Sequence, residues 1–226
     1  MLGILSLLIP VLMPLPIDSF GMIFATRILP MRFLTLERGP IHTVRGIVIH
    51  QTDAQTASAT LHSYRRKGTD GAHFLIDKDG AIYQTASVRQ ATQHIGFIKP
   101  RCIAAMTCSP VAYRGVRLGQ DTHRIEMRKS WPVRYPTNRE AIGIELVGRA
   151  TLPAGFKPRN ARERGMTMEQ LRGEAGVYEA PTALQNLSLK WLVDELIGTL
   201  KVSSSEVFRH PVVSWKNPDE ARRATW

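Results

Sequence analysis

Arg45-Gly46-Ile47-Val48-Ile49-His50-Gln51-Thr52-Asp53 is the stretch on which the fold turns. From Gly46 to Ile49 the residues are small or aliphatic, largely β-branched, and carry no turn signal, which reads as a buried strand. The strand ends on a histidine followed by small polar residues. A side chain at the end of a central strand is held rigidly and faces the crevice where α/β proteins bind ligands. His50 is therefore the first candidate site residue. Taken alone, it reads equally well as a histidine packed at a strand end.

A second such run, Ala141-Ile142-Gly143-Ile144-Glu145-Leu146-Val147-Gly148, sets a carboxylate among aliphatics. Burying Glu145 without a partner is expensive, so it should face a polar site or a cation, unless the strand alternates and turns it to solvent. Between these runs, Ala72-His73-Phe74-Leu75-Ile76-Asp77 and Ala81-Ile82-Tyr83-Gln84 flank Lys78-Asp79-Gly80, a hairpin signature. Ala57, Leu61 and Tyr64 fall on one helical face, with Thr52 or Asp53 as cap and Gly68 as stop. Pro181-Thr182 opens the clearest helix, whose apolar stripe is Leu184, Leu187, Trp191, Leu192 and Leu196. Residues 25–40 suit a lead-in or an edge strand, and 150–180 read as loop. Residues 99–138 read as an irregular insertion that lines or covers a cleft. The pattern predicts one α/β domain over 36–226, a mixed central β-sheet flanked by helices, after an apolar N-terminal leader or lead-in over 1–35.

At 226 residues the chain can bury one substantial core, and 43% hydrophobic with 22% charged residues is a globular composition. The net charge of +11 attracts polyanions: an anionic cell-wall polymer, a membrane surface or nucleic acid. Basic clusters such as Arg65-Arg66-Lys67, Arg159 to Arg164 and Arg222-Arg223 read as solvated faces. No aromatic-interleaved nucleic-acid module is present, so nucleic acid is not expected as a partner. Residues 1–17 resemble the apolar core of a signal peptide, but the first basic residue is Arg27, and Pro10, Pro14 and Pro16 oppose a spanning helix. A weak export signal, a membrane-associating leader and an over-extended start remain alternatives. Cys102 and Cys108, six apart, suit a small disulfide loop outside the cytosol or two free thiols.

His210 closes Val207-Phe208-Arg209-His210, and Asp219-Glu220 follow nine and ten residues later. Two imidazoles and a carboxylate with an open fourth position describe a catalytic zinc site. A buried Glu145 beside it could pass a proton from water to a leaving amine, and Lys216 could stabilise an oxyanion. The histidines lie 160 residues apart and meet only if the fold brings them together.

These segments, in this order, resemble the zinc-dependent N-acetylmuramoyl-L-alanine amidases that share their fold with phage T7 lysozyme and the peptidoglycan recognition proteins. Ile47 to Thr52 resembles the first-ligand strand, Ala72 to Gln84 the central hairpin, and His94-Ile95-Gly96 the segment near substrate. Ile142 to Leu146 resembles the catalytic-glutamate strand, and Val207 to His210 with Lys216 the second-ligand segment. The likeness spans about residues 44–220, apart from 99–138. It implies His50 and His210 as zinc ligands, Glu145 as general base and acid, and Lys216 as oxyanion stabiliser. His94 would contact the glycan or peptide, and His73 would be structural or substrate-lining. The family usually places an Asp or Cys ligand two residues after the lysine; here that position is Pro218, which cannot bind metal. Glu220, ten residues after His210, is the expected third ligand and Asp219 the alternative. His42, His62 and His123 match no motif and are expected at the surface.

The resemblance implies a Zn2+ enzyme whose activated water cuts the amide between N-acetylmuramic acid and L-alanine of the stem peptide. A catalytically silent peptidoglycan-binding module is the alternative. The expected partner is peptidoglycan, the expected state a monomer, and the place of action the periplasm or cell wall. The basic charge, the insertion and a disulfide would suit an exported or injected antibacterial effector with an immunity protein.

Overall fold

A computed structural model describes residues 14–109 and 111–226. Residues 1–13 of the expected leader therefore lie outside the described residues. In chain order the elements are β1 (Ile28–Pro30), β2 (Glu37–Pro40), β3 (Gly46–Gln51), α1 (Ala57–Tyr64), β4 (Phe74–Ile76), β5 (Ile82–Gln84), β6 (Gln90–Thr92), α2 (Arg101–Ala104), α3 (Gln120–Glu126), β7 (Ala141–Leu146), β8 (Ala150–Thr151), α4 (Ala161–Arg164), α5 (Met168–Ala175), β9 (Val177–Tyr178), α6 (Ala183–Leu200), β10 (Val207–Arg209) and α7 (His210–Val213).

Six strands form one mixed sheet in the order β1-β5-β4-β7-β3-β10. β3, β7 and β10 run parallel, and β4 lies parallel to β7 but antiparallel to β5 across the expected Asp79-Gly80 turn. Side chains alternate across such a sheet. Ile47, Ile49, Ile142, Ile144, Phe74 and Ile76 point to the face covered by α6 and share its core with Leu189, Leu192, Val193 and Leu196. Val48 and Ala141 point the other way, into a smaller core with Ile95, Ile98, Tyr135 and Val213. His50 and Glu145 follow that second parity, which puts them on the face away from α6. Ile23 and Ile28 join the main core, so the described part of the lead-in is packed onto the domain.

The structure differs from the sequence-based expectations at four places. Helix α1 is capped by Thr56, whose hydroxyl accepts from Ala59 N, not by Thr52 or Asp53. Asp53 instead accepts from Ala150 N, and Thr52 from Gly148 N. Residues 150–180 are not loop throughout: α5 starts in a Thr167/Gln170 capping box, and Leu171 is its one buried residue. A stripe so thin leaves no 3.6-residue period to read. In α6 the buried face is turned, with Leu184 and Leu187 at 54% and 63% exposure. Gln185 and Ser188 take the inner positions because they reach backbone carbonyls: Gln185 Nε2 donates to Ile76 O and Val147 O, and Ser188 Oγ to Gly80 O. Finally, His123 is half-buried and accepts a hydrogen bond from Ile98 N. Cys102 and Cys108 form a disulfide. Among the described residues no helix is long and apolar enough to cross a membrane.

Candidate active site

Parallel pairing decides what meets at the carboxyl ends of the central strands. His50 is in register with Glu145, and Ile49 with Arg209, so His210 comes level with His50 one residue further on. The third acidic group arrives from the C-terminal segment. Arg209 donates from Nε to Ala221 O and from a terminal nitrogen to Ala224 O, and its guanidinium lies over the Trp226 ring. That grip folds the segment back and seats Glu220 between the imidazoles. Glu220 Oε1 is 2.9 Å from His210 Nδ1 and 3.5 Å from His50 Nδ1. One ligand atom from each of the three buried residues lies within 4.8 Å of the others. Asp219 does not join them: it accepts from Tyr178 N at 2.7 Å and faces Arg223.

The donor set suits a divalent cation. His210 Nε2 is 2.9 Å from Ile95 O, which can only accept, so Nε2 donates there and Nδ1 is the ring nitrogen turned to Glu220, the atom a cation would take. Burial, reinforced by the charge of His210, lowers the His50 pKa to about 4, so its imidazole is neutral near pH 7. Burial raises the Glu220 carboxyl, but the His210 and His50 imidazoles outweigh it and hold the group well below its usual range. A neutral His50 imidazole beside an ionised Glu220 carboxylate suits zinc ligation.

The triad opens into a cleft of about 920 Å3. Glu145, His94, Lys216 and Tyr178 line it, and Leu118 and Gly119 of the 99–138 insertion contribute to its wall. A smaller hollow of about 400 Å3, bearing Phe97, His123 and Arg139, adjoins it at Gln93 and Gly96. Glu145 is half-buried at the cleft wall, and desolvation raises its pKa to about 7 against the lowering effect of Tyr64. Tyr64 donates its hydroxyl proton to Glu145 Oε2. Its own pKa is pushed well above 10 by burial and by that carboxylate, so it remains a donor. Lys216 is exposed, and its ammonium has no hydrogen-bond or ion-pair partner among the described residues.

Of the two roles expected of His73, structural or substrate-lining, its placement fits the structural one. It is 0% exposed, and its ring nitrogens are taken by Gln90 O and by Gly143 N, so it braces the sheet and is not part of the cleft lining. His94 does line the cleft, but its Nδ1 is 2.9 Å from His50 Nε2. Tyr64 and Arg209 were not legible as site residues. Gly143 was the available signal for His94: a Cβ there would stand 2.8 Å from His94 Nδ1, and an isolated glycine within a strand marks such close approach.

A model of the family described as N-acetylmuramoyl-L-alanine amidase matches residues 40–224. No curated protein matches the chain. Among solved structures the chain is similar to the catalytic domain of XlyA, with 18% identity over 83% of this chain and 88% of that one and a TM-score of 0.46. It is also similar to an AmpD derivative, with 14% identity over 88% of each chain and a TM-score of 0.46. A third is the N-acetylmuramoyl-L-alanine amidase LysCS from Clostridium intestinale, with 17% identity over 84% of each chain and a TM-score of 0.42. These are weak likenesses.

Proposed function

The chain belongs to the N-acetylmuramoyl-L-alanine amidase family, and on that premise we propose that it hydrolyses the amide joining the muramic acid lactyl group to L-alanine of the peptidoglycan stem peptide. The observation that carries this reading is the convergence of His50, His210 and Glu220 at the edge of a cleft that also holds Glu145. We assign Zn2+ to those three ligands, with one coordination position left for the reaction. When bound, zinc polarises the amide carbonyl and makes a water molecule acidic near neutral pH.

The chain's own groups do the rest. Glu145, at a pKa of about 7, is poised to take a proton from the attacking water as the new C–O bond forms. It then delivers that proton to the L-alanine nitrogen as the C–N bond breaks. Tyr64 holds the carboxylate by the hydrogen bond to Oε2. Lys216 supplies a free ammonium to the negative charge that develops on the carbonyl oxygen. Asp219 closes the turn before Glu220 and takes no ligand role. We place the work in the periplasm or cell wall, reached by export or injection.

Mass spectrometry of sacculi digested by the purified protein tests the reading. Release of stem peptides that begin with L-alanine, abolished by a chelator and restored by zinc, is the expected result. Cleavage within the stem, or zinc binding with no release, would overturn it; the latter is the behaviour of a silent peptidoglycan-binding module.

A further inference from the structure

We propose that His94 is a positioning residue that locks His50 in the tautomer a metal ligand needs; the inference rests on the zinc site assigned above. The His94 ring stands between two partners. Its Nε2 faces Ala141 O at 3.4 Å, and its Nδ1 lies 2.9 Å from His50 Nε2. A carbonyl oxygen only accepts, so the His94 proton resides on Nε2 and its Nδ1 is a bare acceptor. His50 therefore donates from Nε2, and its Nδ1 lone pair is left free on the side facing Glu220. The reverse arrangement would set the Nε2 lone pair of His94 against the Ala141 carbonyl. It would also place a proton on His50 Nδ1, where the cation must bind.

The segment that does this serves both ligands. The His94 ring orients His50, and the carbonyl of the next residue, Ile95, orients His210. Asn138 fixes the pair from behind: its Oδ1 accepts from His94 N at 3.0 Å and from Ile95 N at 2.8 Å. Gly143 leaves room for the ring, because a Cβ there would come within 2.8 Å of Nδ1. With both ring nitrogens engaged by the chain, His94 has no hydrogen-bonding group left for substrate. This separates a positioning role from the substrate contact that the family resemblance implies.

Long-range 1H–15N NMR of the metal-free wild-type protein reads the tautomer directly. His50 in the Nε2–H form is expected, and the Nδ1–H form would overturn the proposal. Zinc affinity, measured by competition with a chromophoric chelator, supplies the second readout. His94→Phe keeps the ring's bulk without an acceptor and should bind zinc about 10- to 100-fold more weakly. His94→Asn places an oxygen near the former Nδ1 and should recover much of that loss. Wild-type affinity in His94→Phe, or equal losses in the two variants, would overturn the lock. A wild-type protein that binds no zinc yet shows His50 as Nε2–H would overturn the metal centre while leaving the tautomer assignment standing.

Discussion

The hydroxyl of Tyr64 donates to Glu145 Oε2, tying helix α1 to strand β7 at the floor of the cleft. A largely buried carboxylate thus has a neutral donor and, among the described residues, no cation bound to it. Removing the donor should be felt in the proton-transfer step. Hydrogen bonds to charged groups contribute about 1.5–3 kcal/mol, which at 1.36 kcal/mol per unit is roughly one to two pH units. Tyr64→Phe should therefore shift the ascending limb of the pH–rate profile upward by about that much. An unshifted limb would mean that the contact does not govern Glu145.

Glu145 sets the sign of the pH dependence. Burial raises its pKa to about 7, and only the carboxylate can take a proton, so hydrolysis should rise with pH up to about 7. A bound cation favours the carboxylate, so the limb of the zinc-loaded enzyme should sit at or below that point. In the metal-free protein the folded state holds this proton longer than the unfolded chain, whose pKa is near 4.5. That contribution to stability is complete below about pH 4.5 and is lost as the pH rises through 7. Glu145→Gln, followed by peptide release, should lower the rate about 10²- to 10⁴-fold with zinc content unchanged.

Neighbouring carboxylates should behave in opposite ways. Glu220→Gln should lose zinc and activity together, since Glu220 stands 2.9 Å from His210 Nδ1. Asp219→Asn should keep both, because an amide oxygen still accepts from Tyr178 N. Zinc content measured by mass spectrometry distinguishes the two, and zinc retained in Glu220→Gln would refute the ligand assignment.

Arg209 holds the segment that carries Glu220 through bonds of 3.0 Å to Ala221 O and 2.7 Å to Ala224 O. Arg209→Met should weaken zinc binding and lower the melting temperature while leaving kcat of the saturated enzyme near wild type. A full-strength zinc affinity in this variant would show that Glu220 is seated without the clamp.

The parts legible from sequence are those whose local pattern matches the final environment. β3 and β7 are buried on both faces and read as unbroken aliphatic runs, and Asp79-Gly80 announces the hairpin by its turn chemistry. His50, Glu145 and His210 fall at strand ends, so parallel pairing alone brings them together. Tyr64 was hidden because an amphipathic tyrosine at a core-facing helical position looks like packing; only β7 beside it reveals what its hydroxyl meets. The inner face of α6 was misread because Gln185 and Ser188 are polar and yet inward, satisfied by carbonyls from other segments. Arg209 was hidden for the same reason: its partners are backbone oxygens of Ala221 and Ala224, which carry no signal in their side chains.

Anomalous diffraction at the zinc edge from zinc-soaked crystals is the most direct test of the centre. One strong peak is expected about 2.0–2.2 Å from His50 Nδ1, His210 Nδ1 and a Glu220 carboxylate oxygen. No peak at that position, or a peak coordinated by Asp219 in place of Glu220, would contradict it.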